Sequence, residues 1–350
     1  MEIVLVVISI LLIIAVFLSF VKNDFWIFKI LEYPRLQKLF LVTPVLILWV
    51  FYWPREIFFQ TIFALLACSF VYLLYKIWPY TMLAKKEMKQ VRSSNPAKEI
   101  KIYSANVLQK NRKYKQILQQ IHACDPDIIF LLETNQAWAE ALKELEEKYP
   151  YHLLHPQENT YGLLLYSSLQ VENASIRFLV KEDIPSVEAV IILPSGKKIQ
   201  LWGLHPEPPV PDETLYSTAK DKELMKIAFK AKECKLPCIV IGDLNDVAWS
   251  HTTELFRKTS ELLDPRRGRG FYSTFSAHHW YIRYPLDYIF CSAHFGLVQM
   301  KRLPKNGSDH FATFTHLALI EELKNEQDGP KANSKEAGEA KEVASKPVKE

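Results

Sequence analysis

The chain has 350 residues, 49% of them hydrophobic, and a formal net charge of +4, enough for one large domain with appendages. The basic excess is mild and includes segments beside apolar runs, so charge alone does not establish nucleic-acid binding. Five cysteines, Cys68, Cys124, Cys234, Cys238 and Cys291, are scattered with no second Cys/His pair at zinc-site spacing, which favours isolated, partly buried thiols.

The first 78 residues differ in kind from the rest. Ile3 to Val21 is uncharged and about as long as a membrane-spanning helix must be. No basic region precedes it and no small-x-small site follows, so it does not read as a cleaved signal. A shorter run, Leu39 to Trp53, carries Pro44, and a long one, Ile57 to Trp78, ends in Trp and Tyr. The expectation is three spans, with the aromatic and basic stretch "KNDFWIFKILEYPRLQK" lying on the headgroups between the first two. Residues 79–99 read as a basic linker. At the other end, 324–350 is charged and almost without apolar residues, which predicts a disordered tail.

Between them, 100–323 alternates strand and helix patterns. "EIKIYSANV" predicts a strand ending near Asn106, and Tyr114, Ile117, Leu118 and Ile121 fall at helical spacing. "DIIFLL" delivers Glu133 at its end. Trp138, Ala141, Leu142 and Leu145 mark a helix, followed by the strand "YGLLLYS". "EAVIIL" and "IQLWGL" flank "PSGKK" as a hairpin, and the second runs into His205. Leu224, Ile227, Ala228 and Ala231 make an amphipathic helix, "CIVIG" delivers Asp243, and a further helix is expected over Thr252–Leu263. The last strands are "PLDYIF", "FGLVQMKRL" and "FATFTHLAL". Hairpins mixed with β-α units point to packed sheets covered by helices.

Polar residues recur where apolar strands end: Asn106, Glu133, His205, Asp243 with Asn245, Asp287, and Asp309 with His310. A strand end is a rigid mount beside solvent, though any single Asp there is more often a turn or cap. Asp287, inside "YPLDYIFC", is different, because a carboxylate in an apolar run needs a partner. His310 is the candidate.

In this order the motifs resemble the endonuclease/exonuclease/phosphatase superfamily: "SANV", "LLETN", "GLHPEPP", "GDLND", "PLDYIF" and "GSDHF", spread over the whole soluble domain. "GRGFYSTFSAHHW" before "PLDYIF" is similar to a membrane-anchored bacterial branch. The resemblance implies an α+β fold, a DNase I-like four-layer α/β/β/α sandwich behind three transmembrane helices, and a metal-dependent phosphoesterase in the bacterial inner membrane. It implies that Glu133 holds a divalent cation, Mg2+ or Mn2+, with Asn106 and Asp309 completing or flanking that site. It implies that Asp243 orients or deprotonates a water, that Asn245 touches the phosphate, and that His310, braced by Asp287, acts with His205 on phosphoryl oxygens or in proton transfer. Leu108 stands where some family nucleases carry a second acid, which favours one principal metal site. Arg266, Arg267 and Arg269 in "DPRRGRG" form either a solvated basic loop or a phosphate-contacting one.

Two substrate classes remain open, a nucleic acid and a lipid-linked phosphate or pyrophosphate. The second would explain why the domain is tied to a bilayer; no protein partner is evident. The non-enzyme alternative is a membrane-bound binding or scaffold module that has lost catalysis. Lys22, Lys29, Arg35, Lys38, Lys85, Lys86, Lys89 and Arg92 fall on the domain's side of the spans and Arg55 alone on the other, which predicts a cytoplasmic domain.

Overall fold

The computed structural model describes residues 2–52 and 56–349. The N-terminal region holds helices α1 (Glu2–Phe17), α2 (Trp26–Ile30), α3 (Arg35–Phe51) and α4 (Ile57–Ile77). Leu5, Val16, Val42, Trp49, Leu66 and Leu73 from α1, α3 and α4 form one apolar cluster. Trp49 Nε1 donates to Ser9 Oγ at 2.9 Å, so the cluster's polar groups are satisfied inside it.

Among the described residues two helices, Glu2–Phe20 and Ile57–Tyr80, are long and apolar enough to cross a membrane, not three. The middle run falls short because α3 opens on Arg35, Leu36, Gln37 and Lys38. Its uncharged part starts at Leu39, giving about 20 Å of helix against the roughly 30 Å of a hydrocarbon core. The turn with Arg55 lies outside the described residues.

The two-sheet domain carries β1 (Glu99–Asn106), α5 (Tyr114–Cys124), β2 (Ile128–Leu132), α6 (Gln136–Ala141), α7 (Leu145–Lys148), β3 (Tyr151–His155), β4 (Leu163–Ser167), β5 (Gln170–Arg177), β6 (Ser186–Ile192), β7 (Lys198–Leu204), α8 (Thr218–Glu233), β8 (Cys238–Asp243), α9 (His251–Ser260), β9 (Asp287–Cys291), β10 (Phe295–Arg302) and β11 (Thr313–Leu319). Two sheets form, ordered β10-β11-β1-β2-β4-β3 and β5-β6-β7-β8-β9. Ile102, Phe130, Leu165, Leu201, Ile239 and Ile289 fill the space between them. A Cβ on Gly203 would meet the Phe130 ring at 2.5 Å, so the sheets approach there only because that residue is glycine. α5, α6 and α7 cover one outer face and α8 and α9 the other. This is the four-layer α/β/β/α sandwich. Sequence patterning passes over β3 and β5, whose residues are half-exposed and carry no clean alternation.

Register decides where the polar strand ends meet. β1 and β2 are parallel with Asn106 opposite Leu132, so Asn106 and Glu133 emerge at one edge. β7 and β8 are parallel with Leu204 opposite Gly242, which brings His205 beside Asp243. β8 and β9 are antiparallel with Asp243 directly opposite Asp287.

Both appendages are docked rather than loose. Met88 of the linker is buried and Glu87 pairs with Arg257 and Arg267. The tail, expected to be disordered, folds over Ser334–Ser345 as α10. Asn333 and Glu336 form a capping box, Ala340 is buried, and Glu339 and Glu336 pair with Lys22 and Lys258. Capping and ion pairs to distant parts of the chain accompany the docking that its low apolar content did not suggest.

Candidate active site

Five of the anticipated residues, Asn106, His205, Asp243, Asp287 and His310, are at most 4% exposed, while Glu133, Asn245 and Asp309 are half-buried around them. The strand register brings all of these to one edge of the sandwich. Glu133 has φ +56° and Asn245 φ +49°, a left-handed backbone that is uncommon for non-glycine residues and clusters at functional sites. At Glu133 it turns the chain immediately after β2, so the carboxylate returns to β1: Asn106 Nδ2 donates to Glu133 Oε1 at 2.7 Å and to Asp243 Oδ2 at 3.1 Å.

Asp287 Oδ2 lies 2.8 Å from His310 Nδ1, and His310 Nε2 lies 3.6 Å from Asp243 Oδ2. One imidazole thus stands between two buried carboxylates. Burial alone would lower the His310 pKa, but Asp287 and Asp243 raise it to about 10. Burial and the neighbouring Asp287 push Asp243 up to about 6, against the pull of His310 and His205. Asp287 Oδ1 is buried with no hydrogen-bond partner among the described residues. The ligand atoms of Asp243, Asp287 and His310 lie within 4.8 Å of one another, close enough to hold a metal ion. A protonated imidazole facing carboxylates on both nitrogens is already neutralised, so this arrangement suits proton handling better than ligation.

His205 Nδ1 is 3.4 Å from the Asp243 carbonyl and its ring packs at 5.5 Å against Tyr161. Asn245 Nδ2 donates to the Pro206 carbonyl at 2.9 Å, which ties the loops after β7 and β8 together.

Three contributions were not visible in the sequence. Ser308 Oγ donates to the Asn106 carbonyl at 2.8 Å and accepts from the His310 N–H at 3.0 Å, clamping the "SDH" turn onto β1. Tyr33, from the N-terminal region, donates its hydroxyl to the Asn245 carbonyl at 2.7 Å. Arg283 and Arg302 lie over the Phe311 ring at 4.8 and 4.4 Å, beside His310. The placing of Ser308 beside Asp309 and His310 in "GSDHF" hinted at the first; long-range contacts produce the others.

Arg266, Arg267 and Arg269 do not form the flexible basic loop considered above. Arg266 is 1% exposed and bidentate to Asp264, with its guanidinium 4.0 Å over Tyr288. Arg267 pairs with Glu87, and Arg269 donates to the Pro265 and Met88 carbonyls. All three are consumed in holding the linker and β9 in place. The 660 Å³ cavity between α2, α4, α9 and α10 shares no residue with the catalytic cluster.

The endonuclease/exonuclease/phosphatase family model matches residues 102–310. The chain belongs to this family. It is therefore a hydrolase of phosphate ester bonds. No curated protein matches it by sequence. Among solved structures, TDP2 of D. rerio complexed with single-strand DNA product is similar, with 17% identity and a TM-score of 0.53 over 63% of this chain and 98% of that one. The human Nocturnin catalytic domain with bound sulfate has 17% identity and a TM-score of 0.53 over 67% and 98%. A family protein of Bacteroides thetaiotaomicron has 16% identity and a TM-score of 0.50 over 63% and 95%. At these identities the likeness is one of fold.

Proposed function

We propose that this family member is a membrane-anchored, divalent-metal-dependent phosphoesterase whose machinery is Asn106, Glu133, His205, Asp243, Asn245, Asp287, Asp309 and His310. The observation carrying this reading is the Asp243–His310–Asp287 cluster, built from three chain segments and standing beside Glu133. Anchoring is supported by the length and apolar composition of α1 and α4.

The donor set at the rim fits a hard cation. Glu133 Oε2 accepts a 3.4 Å contact from the Gln109 N–H, and Glu133, with Asp309 and the Asn106 amide oxygen as further ligands, would offer oxygen donors alone, suited to Mg2+ or Mn2+. Bound there, the cation would neutralise phosphate oxygens. The chain's own residues do the rest. Asp243, held by Asn106, accepts a proton from a water whose oxygen bonds to phosphorus as the ester P–O bond breaks. Protonated His310 gives its proton to the departing oxygen and regains one from Asp243. Asp287 fixes the imidazole, while Asn245 and His205 orient the phosphate. Arg283 and Arg302 replace the Arg266 loop as the phosphate-contacting candidates.

The test is hydrolysis of bis(p-nitrophenyl) phosphate by the full-length protein in detergent. Activity with Mg2+ that is lost in EDTA and in Glu133→Gln supports the reading; rates equal to wild type under both treatments refute it. The α2–α3 turn docks on the domain, so Lys22, Lys29, Arg35 and Lys38 share a side with Lys85, Lys86, Lys89 and Arg92, which favours a cytoplasmic domain. A fluorescent-protein fusion after Glu350 should glow, and a dark fusion whose alkaline phosphatase counterpart is active would reverse the orientation.

A further inference from the structure

The catalytic cleft is built onto the N-terminal helices. The turn between α2 and α3 docks on the loop that follows Asp243: Tyr33 donates to the Asn245 carbonyl at 2.7 Å, Trp249 Nε1 donates to the Glu32 carbonyl at 2.9 Å, and the Arg35 guanidinium donates to the Trp249 carbonyl. Tyr33 also packs edge-on against Tyr284 at 5.4 Å. A tether would need none of these contacts.

The loop between Phe275 and Tyr284 connects the cleft to the same helices. The Phe275 ring lies 5.1 Å from His310, and the Ala277 N–H donates to the Asp309 carbonyl. Further along, the Tyr281 carbonyl accepts from Gln37 Nε2 at 3.1 Å. Gln37 belongs to the first turn of α3, and Phe40 and Leu41, about one turn further along, are 71% and 57% exposed. At that level the loop presents Trp280 and Tyr281, themselves 81% and 56% exposed. Trp and Tyr are the side chains that prefer the depth where headgroups meet acyl chains. Just behind them, Arg283 has a buried Nη1 with no partner among the described residues, and it shares the Phe311 ring with Arg302. Two cations on one ring, one with a free donor, make a seat for an anionic oxygen.

We infer that the substrate is a phosphate ester carried by a lipid in the bilayer that anchors the enzyme, with Trp280 and Tyr281 seated in the headgroup layer beside the cleft. The inference rests on the phosphoesterase reading above and adds the substrate class to it. Hydrolysis would release the group on the far side of the phosphate from the lipid-borne one, water supplying the hydroxyl to phosphorus and the proton to the leaving oxygen.

The experiment uses the full-length protein reconstituted with Mg2+ in phosphatidylcholine vesicles. Two chromogenic esters are compared: hexadecyl p-nitrophenyl phosphate in the bilayer and methyl p-nitrophenyl phosphate in water. The hexadecyl ester should be favoured in kcat/KM, and the double substitution Trp280→Ala/Tyr281→Ala should lower the hexadecyl-to-methyl ratio by about tenfold, the effect expected when aromatic burial is lost. Brominated phosphatidylcholine should quench Trp emission less in Trp280→Phe than in wild type. A ratio at or below one that the double substitution leaves unchanged overturns the inference while the phosphoesterase reading stands. So does faster cleavage of a single-stranded oligonucleotide than of the hexadecyl ester. Cleavage of none of these overturns both.

Discussion

Two buried charge clusters sit at the same sheet edge, joined where Arg266 Nη1 donates to the Asp287 carbonyl at 3.2 Å. In the first, Asp264 and Arg266 are two residues apart and meet as a bidentate pair, with the guanidinium stacked on Tyr288. Opposite charges balance and the guanidinium nitrogens have acceptors. In the second, two carboxylates flank one imidazole, Asp287 Oδ1 lacks a partner among the described residues, and Asp243 is pushed up to about 6 by burial and by Asp287. The first cluster is closed and holds structure. The second is left electrostatically incomplete, which folding alone gives no reason to keep.

Substitutions should separate the two along different axes. The largest effect is expected at Asp243→Asn: a rate loss of roughly 10²- to 10⁴-fold with a melting temperature equal to or above wild type, since a carboxylate repelled by Asp287 is removed. A fall in both rate and stability would make Asp243 an ordinary core carboxylate. Arg266→Met should do the reverse, costing about 3–5 kcal/mol because buried Asp264 loses its partner, while the protein that remains folded turns over at near the wild-type rate. Denaturant unfolding paired with active-site titration reads both quantities.

A third, smaller effect concerns the docking of the N-terminal helices. Burial pushes the Asp221 carboxyl up, but Lys29 and Lys220, with hydrogen bonds from Lys29 and Ser217, bring it down to about 2. Because the folded value lies below the ordinary 3.8, the pairing stabilises at pH above roughly 4 and is lost as pH falls toward 2, for about 2 kcal/mol. Thermal unfolding between pH 6 and 2.5 should show that slope, and Asp221→Asn should flatten it. The smallest effect is at Tyr33→Phe. Losing one hydrogen bond to the Asn245 carbonyl is worth about 1 kcal/mol, and should appear as a several-fold lower kcat with KM nearly unchanged.

The strand-end residues were legible because buried strands have simple patterns and each has a polar residue at or beside one of its ends. Asp287 was the clearest case, since a carboxylate inside "PLDYIF" demands a partner, and His310 supplies it at 2.8 Å. Arg266 was misread because charge in a Gly-flanked loop looks solvated, and only the tertiary position of Asp264 and Tyr288 shows otherwise. The tail misled for a related reason. Low apolar content is a sound sign of disorder for an isolated segment, but Asn333 capping and ion pairs to Lys22 and Lys258 depend on surfaces elsewhere in the chain. The middle apolar run, Leu39 to Trp53, was counted as a span for its lack of charge although it is shorter than a hydrocarbon core requires. Tyr33 and Ser308 act through backbone carbonyls, which leave no trace in residue type.

The central claim is that Asp287 and His310 work as one catalytic unit. The most direct test is a double-mutant cycle on phosphodiester hydrolysis with Mg2+, comparing wild type, Asp287→Asn, His310→Ala and the double substitution, with folding checked by circular dichroism. The account predicts that the double variant is no slower than His310→Ala alone, because each change disables the same imidazole. Independent losses that multiply in the double variant would contradict it.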